Sequence, residues 1–145
     1  MLRVVRDGRA VYQARCATSA SGVGSEENSM KTPLGWHKVV SKLGAGAVRG
    51  QVFRSRVATH EVWQPGEQPA EGLVLTRVLL LDGLELGVNK GGKVDSYARN
   101  IYIHGTNDEA RLGTPSSHGC IRLSNDDIVE VFNLLPEGTP VLITE

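Results

Sequence analysis

Cysteine is scarce in this chain, with two among 145 residues, Cys16 and Cys120. Two are too few for a disulfide framework. A Cys16–Cys120 bond is not expected either, since it would silence the thiol whose surroundings are described below. No excess of either charge exists, because 16 Lys plus Arg meet 16 Asp plus Glu. Phosphate binding normally shows as a basic surplus, so nucleic acid is not an expected partner. Long apolar runs are also missing. The longest, Val78 to Leu81, has four residues, far short of the roughly 20 that a membrane helix needs. It reads as a buried strand, and no membrane span is expected. Met1-Leu2-Arg3-Val4 leads straight into patterned sequence, without a charged and then apolar leader. That points to a cytoplasmic protein or to a chain whose leader is already removed. There are no repeats and no heptads. A mass of 15.6 kDa fits one domain over residues 1–145, large enough for a real core.

What is present is a series of short β-like runs separated by turn residues. LRVV and AVYQARC flank Asp7-Gly8, a hairpin dipeptide. A Ser/Gly-rich loop, Thr18 to Ser29, precedes the turn Thr32-Pro33-Leu34-Gly35 and the strand WHKVVSKL. Gly44 to Gly50 is glycine-rich, but it lacks GxGxxG spacing and no helix pattern follows, so it reads as a loop. Next come QVFRSRVAT, a polar loop from Gln64 to Gly72, and LVLTRVLLLDGLELGV with a second Asp-Gly turn at Asp82-Gly83. ARNIYIHG reads as a further strand. One helix is clear. Ser124 is a natural N-cap with Asp127 three residues on, and Ile128, Val131, Phe132 and Leu135 follow at helical spacing. Pro136-Glu137-Gly138 ends it, and PVLIT returns as a strand. The fold expected is mainly β with one or two short helices.

Reactive side chains concentrate in one place. His104, His118 and Cys120 lie within the stretch IYIHGTNDEARLGTPSSHGCIRL, in a chain with four histidines. A free thiol has a pKa of about 8.5 and is mostly protonated at neutral pH, so a nucleophilic cysteine needs a base. His118 stands two residues from Cys120, on the same side if the segment is extended. His104 is distant in sequence but reaches Cys120 if its strand lies beside CIRL. Gly119 allows close backbone approach or positive φ, which suits amides aimed at an oxyanion. Ser117 offers a hydroxyl to hold an imidazole. Arg122 has the reach to bind a substrate carboxylate. Blander readings stand beside these. A lone cysteine usually packs, a lone histidine is usually a satisfied polar group, and an arginine usually forms a surface salt bridge. A metal site is the sharper rival, because His104, His118 and Cys120 make three zinc ligands. No CxxC or HExxH accompanies them, and the sequence assigns no metal and no cofactor.

Taken together, these residues resemble the L,D-transpeptidase catalytic domain of the YkuD type. The resemblance rests on His104-Gly105-Thr106, the loop to Ser116, and Ser117-His118-Gly119-Cys120-Ile121-Arg122. KTPLG (Lys31 to Gly35) and the helix after CIRLSN closing on GTPVLI are also similar. The resemblance implies two packed mixed β-sheets with a cysteine in a loop-covered cleft. It implies Cys120 as nucleophile and His104 as general base and acid. His118, Gly119 and Ser117 would support the pocket and oxyanion, with Arg122, Thr106 and Asn107 as substrate contacts. The implied reaction is attack on the diaminopimelate carbonyl of a peptidoglycan tetrapeptide stem, loss of D-alanine, and transfer from the thioester to an amine. Water as acceptor would make the enzyme an L,D-carboxypeptidase. A non-catalytic peptidoglycan-binding module is the reading from another class. Stem peptides are the implied partners, acylation by carbapenems the implied inhibition, and the cell envelope or periplasm the implied place. Cys16 matches no motif position and reads as core.

Overall fold

A computed structural model of the chain describes residues 1–68 and 72–145, so residues 69–71 of the loop Gln64 to Gly72 lie outside the described residues. The opening hairpin joins β1 (Leu2–Arg6) to β2 (Arg9–Ala14) through Asp7-Gly8, both at positive φ, as the dipeptide predicts. The remaining strands form one seven-stranded sheet. They are β3 (Gly35–Leu43), β4 (Gln51–Arg54), β5 (Val57–Val62), β6 (Val74–Gly83), β7 (Tyr102–Gly105), β8 (Ile121–Leu123) and β9 (Pro140–Ile143). The one α-helix among the described residues is α1 (Asn125–Leu134). The two expected sheets are therefore very unequal, and only the large one is mixed: β7 and β8 run parallel while every other pair is antiparallel.

Strand β6 is the hub, pairing with β3, β4 and β7. Its near-continuous apolar run is explained by burial on both faces. Leu79 and Leu81 join Ile103, Ile121 and Leu123 in the main core, against Ile128, Val131, Phe132 and Leu135 of α1 and against the hairpin's Val4 and Ala14. Val78 and Leu80 face the other way, with Phe53 and Tyr102. The helix is held as its sequence predicts. The Ser124 hydroxyl accepts from the Asp127 amide at 3.0 Å, a cap contributing about 1 kcal/mol.

Three expectations need correction. Asp82-Gly83 is not a turn: both residues lie in β6, opposite Lys38 and His37. Glycine is required there because a Cβ would overlap the Asn89 carbonyl oxygen, so the site demands close approach rather than a reversal. QVFRSRVAT is not one run. Ser55 and Arg56 both take positive φ and turn β4 into β5, a hairpin made without the usual Gly or Asn. ARNIYIHG is a strand only from Tyr102, since Asn100 closes a turn onto the Tyr97 carbonyl.

Candidate active site

The parallel register of β7 with β8 sets Ile103 against Ile121 and His104 against Arg122. Because side chains alternate along a strand, both isoleucines go to the α1 face and the main core. Tyr102, His104 and Arg122 share the opposite face, and Cys120 packs there with Tyr102. The pairing that would bring His104 to Cys120 is thus present.

Cys120 and His118 are not in an extended run. Residues 118–120 form a bend and the strand begins at Ile121. Gly119 has φ 128°, a conformation that side-chain-bearing L residues rarely adopt. Ser117 clamps this bend. Its hydroxyl donates to the Cys120 carbonyl at 2.6 Å and accepts from the Gly119 amide at 3.2 Å. It therefore braces backbone and holds no imidazole. His118 is turned out to solvent, on the rim of a cleft. His104, His118 and Cys120 do not converge as ligands, and no three His, Cys, Asp or Glu side chains among the described residues group to hold a metal ion.

The thiol and imidazole are each held by backbone. Cys120 Sγ donates to the Asn100 carbonyl and accepts from the Tyr102 amide, both at 3.3 Å. His104 is 3% exposed, and its Nδ1 donates to the Gly105 carbonyl at 2.7 Å. A carbonyl can only accept, so the neutral ring carries its proton on Nδ1 and keeps the Nε2 lone pair free. Burial then decides the charge states. It pushes the Cys120 thiol up to about 11, against the smaller opposing effects of the Tyr102 amide, Arg122 and Arg99. It pulls His104 down to about 4, with the Gly105 bond opposing and the Arg122 charge adding. The resting pair is neutral thiol and neutral imidazole, not a preformed thiolate–imidazolium pair.

Arg122 is no surface charge. It is 7% exposed, donates to the Ser116 carbonyl at 3.1 Å, and lies 4.0 Å from an Asp108 carboxylate oxygen. Thr106 is fully buried and has no surface to offer a substrate; its hydroxyl accepts from the Asp108 amide at 3.1 Å. Asn107 spends its side-chain carbonyl on the Leu73 amide at 2.8 Å. Both fasten the turn after β7, which is a different job from the cleft lining expected of them.

Sequence reasoning missed Asn125, the first residue of α1. Wholly buried, its Oδ1 accepts from the Thr76 hydroxyl at 2.6 Å. Its Nδ2 donates to the Thr106 carbonyl at 2.8 Å and to Glu109 Oε1 at 2.9 Å. It thereby ties the chain just past His104 to the helix. Asn125→Ala is expected to cost about 2–4 kcal/mol in urea unfolding, because several buried polar groups lose their partner. A loss below about 0.5 kcal/mol would mean those groups find other partners.

Comparison with known proteins bears on the family and the fold. The model of the L,D-transpeptidase catalytic domain, YkuD, matches residues 1–143. A putative L,D-transpeptidase of Bacillus subtilis, YqjB, is 54% identical over 43 residues, which is 30% of this chain and 24% of that protein. The probable L,D-transpeptidase YbiS of Escherichia coli is 29% identical over 120 residues, 82% of this chain and 35% of that protein. The chain thus spans only about a quarter to a third of these two relatives. Among solved structures, L,D-transpeptidase 3 from Mycobacterium tuberculosis with a faropenem-derived adduct superposes with TM-score 0.55 at 22% identity, covering 99% of this chain and 48% of that one. The L,D-transpeptidase LdtMt1 in complex with imipenem gives 0.56 at 19%, covering 98% and 53%. At those identities the structures speak for the fold alone. On the family match, which runs from the first residue to the strand after the helix, the chain belongs to the L,D-transpeptidase catalytic domain family.

Proposed function

We propose that this chain is a peptidoglycan L,D-transpeptidase that works by cysteine acyl transfer in the cell envelope, with Cys120 as nucleophile and His104 as base and then acid. The observation that carries the reading is the shared sheet face of Cys120 and His104, with the imidazole's Nε2 left free by the Nδ1 bond to Gly105. Because the resting pair is neutral, the thiol proton moves to His104 Nε2 as sulfur attacks the carbonyl of the third stem residue. The C–S bond forms, the imidazolium protonates the departing amine, the C–N bond breaks, and D-alanine leaves. An acceptor amine then attacks the thioester, gives its proton to His104, and the sulfur leaves to regain that proton. The Gly119 amide is occupied by Ser117. The Cys120 amide donates to no group among the described residues, so it is the better oxyanion donor. Arg122 supports the site from within by its fixed positive charge. Carbapenems should acylate the same sulfur.

A stem tetrapeptide incubated with the protein, with and without an amine acceptor, tests the reading by mass spectrometry of the products. Cross-linked product with stoichiometric D-alanine is expected when the amine is present. Hydrolysis alone under both conditions would make the enzyme an L,D-carboxypeptidase. Neither product would remove the catalytic reading and favour a binding module.

A further inference from the structure

The Cys120 sulfur lies between two main-chain groups, the Asn100 carbonyl and the Tyr102 amide, each at 3.3 Å. The amide belongs to β7 and is fixed by the sheet. The carbonyl has no such support. Asn100 stands ahead of the strand at φ 58°, at the end of the turn it closes onto Tyr97. Whatever holds that turn also holds the acceptor of the thiol proton.

A side chain from a distant part of the sequence grips it. Arg56, in the turn from β4 to β5, donates from Nη2 to the Tyr97 carbonyl at 2.7 Å and to the Asn100 side-chain oxygen at 2.8 Å. Its Nε donates to the Tyr102 hydroxyl at 3.0 Å. That hydroxyl in turn donates to the same Asn100 oxygen at 3.1 Å. The guanidinium lies 4.2 Å from the centroid of the Tyr97 ring and 5.8 Å from that of Tyr102. It therefore touches both ends of the turn and both residues whose main chain holds the sulfur.

Ion pairing does not account for this arrangement, since no carboxylate pairs with Arg56 among the described residues. Turn chemistry does not account for it either. Arg56 takes φ 64°, where glycine or asparagine is less strained. Such strain persists where surrounding contacts over-determine it. Here those contacts are with Tyr97, Asn100 and Tyr102.

We propose that Arg56 is a positioning residue for the thiol: it fixes the Asn100 carbonyl that accepts the Cys120 proton, and so holds the sulfur in one orientation for attack. Its effect on rate rests on the acyl-transfer reading above; its effect on the thiol does not. The test is Raman spectroscopy of Cys16→Ala protein, in which Cys120 carries the only S–H group. An S–H that donates a hydrogen bond stretches at lower frequency than a free one, so with Arg56 in place the band should be single and lowered. In Arg56→Gln it should move up or split, and carbapenem acylation should slow by about 10- to 100-fold, the cost of a misplaced reacting group. Arg56→Lys should restore part of both, because an ammonium cannot reproduce the flat fork. Arg99 and Arg122 also act on the thiol, and none of these variants alters them. Tyr102→Phe serves if Arg56→Gln does not fold; alone it should move the band in the same direction by less. In its background Arg56→Gln should cost less acylation rate than in its absence, since one shared partner is already gone. A merely structural arginine would lower the melting temperature and leave the band in place. A band unmoved in the variants would overturn the proposal, as would a moved band with unchanged acylation. A moved band in a protein that no carbapenem acylates, with Arg56 intact, would sink the acyl-transfer reading and leave Arg56 holding the thiol.

Discussion

Exposed to a carbapenem, the intact protein is expected to gain the full mass of one drug molecule, and Cys120→Ala is expected to gain nothing. Opening of the β-lactam is an addition. The C–N bond breaks, the C–S bond forms, and the thiol proton ends on the ring nitrogen, so no fragment need leave. The protein has only two candidate sulfurs, both free. Cys16 packs against the main core, beside the hairpin. Cys120 is partly exposed, and its sulfur accepts an amide hydrogen bond that helps to carry developing negative charge. The adduct should therefore survive Cys16→Ala at full stoichiometry. An adduct retained by Cys120→Ala would point to Cys16 or to a lysine and end the assignment of Cys120. Absence of any adduct on folded wild type would mean that the thiol is not activated at all.

Much of this was legible in the sequence, for definite reasons. The hairpin at Asp7-Gly8 and the helix after Ser124 are specified locally, by a turn dipeptide and by a cap followed by an apolar stripe. Ser55-Arg56 carries no such signal, and Gly83 carries a false one, because what it satisfies is the distant Asn89 loop. The same contrast runs through the site. His104 and Cys120 are named by the family motif. Arg56, Asn100 and Asn125 matter only through what the fold brings against them: a guanidinium on two tyrosines, a carbonyl on a thiol, and an amide between a helix and a strand end. Ser117 and Thr106 belong to the motif but act on backbone, because a left-handed Gly119 and the turn after β7 each need a local hydroxyl. Spacing identified the residue types; only the tertiary structure assigned which atoms they use.

His104→Gln is expected to slow acylation by about 10²- to 10⁴-fold near neutral pH, the usual worth of a positioned base, and to change its pH dependence. In wild type burial holds the two groups far apart, pulling the imidazole down to about 4 and pushing the thiol up to about 11. Between these values the pair holds one transferable proton, so kcat/KM should be flat from about pH 5 to 9. Below about 4 the base is already protonated and the rate falls. Without the base, only the ionised fraction of the thiol reacts. In His104→Gln the acylation rate should therefore climb close to tenfold per pH unit across the same range. A wild-type limb centred near 6.5 would show that the imidazole titrates as an exposed histidine and that burial does not set its state. The same shift has a consequence for folding. A histidine that resists protonation when folded but not when unfolded makes stability fall as pH drops from 6.5 towards 4. His37, also buried and also lowered, adds to the loss with the same sign. Thermal melts across that window should shift downward with acid, and His104→Gln should remove its share of the slope while leaving that of His37. A melting temperature independent of pH there would contradict the buried neutral imidazole on which the catalytic assignment depends.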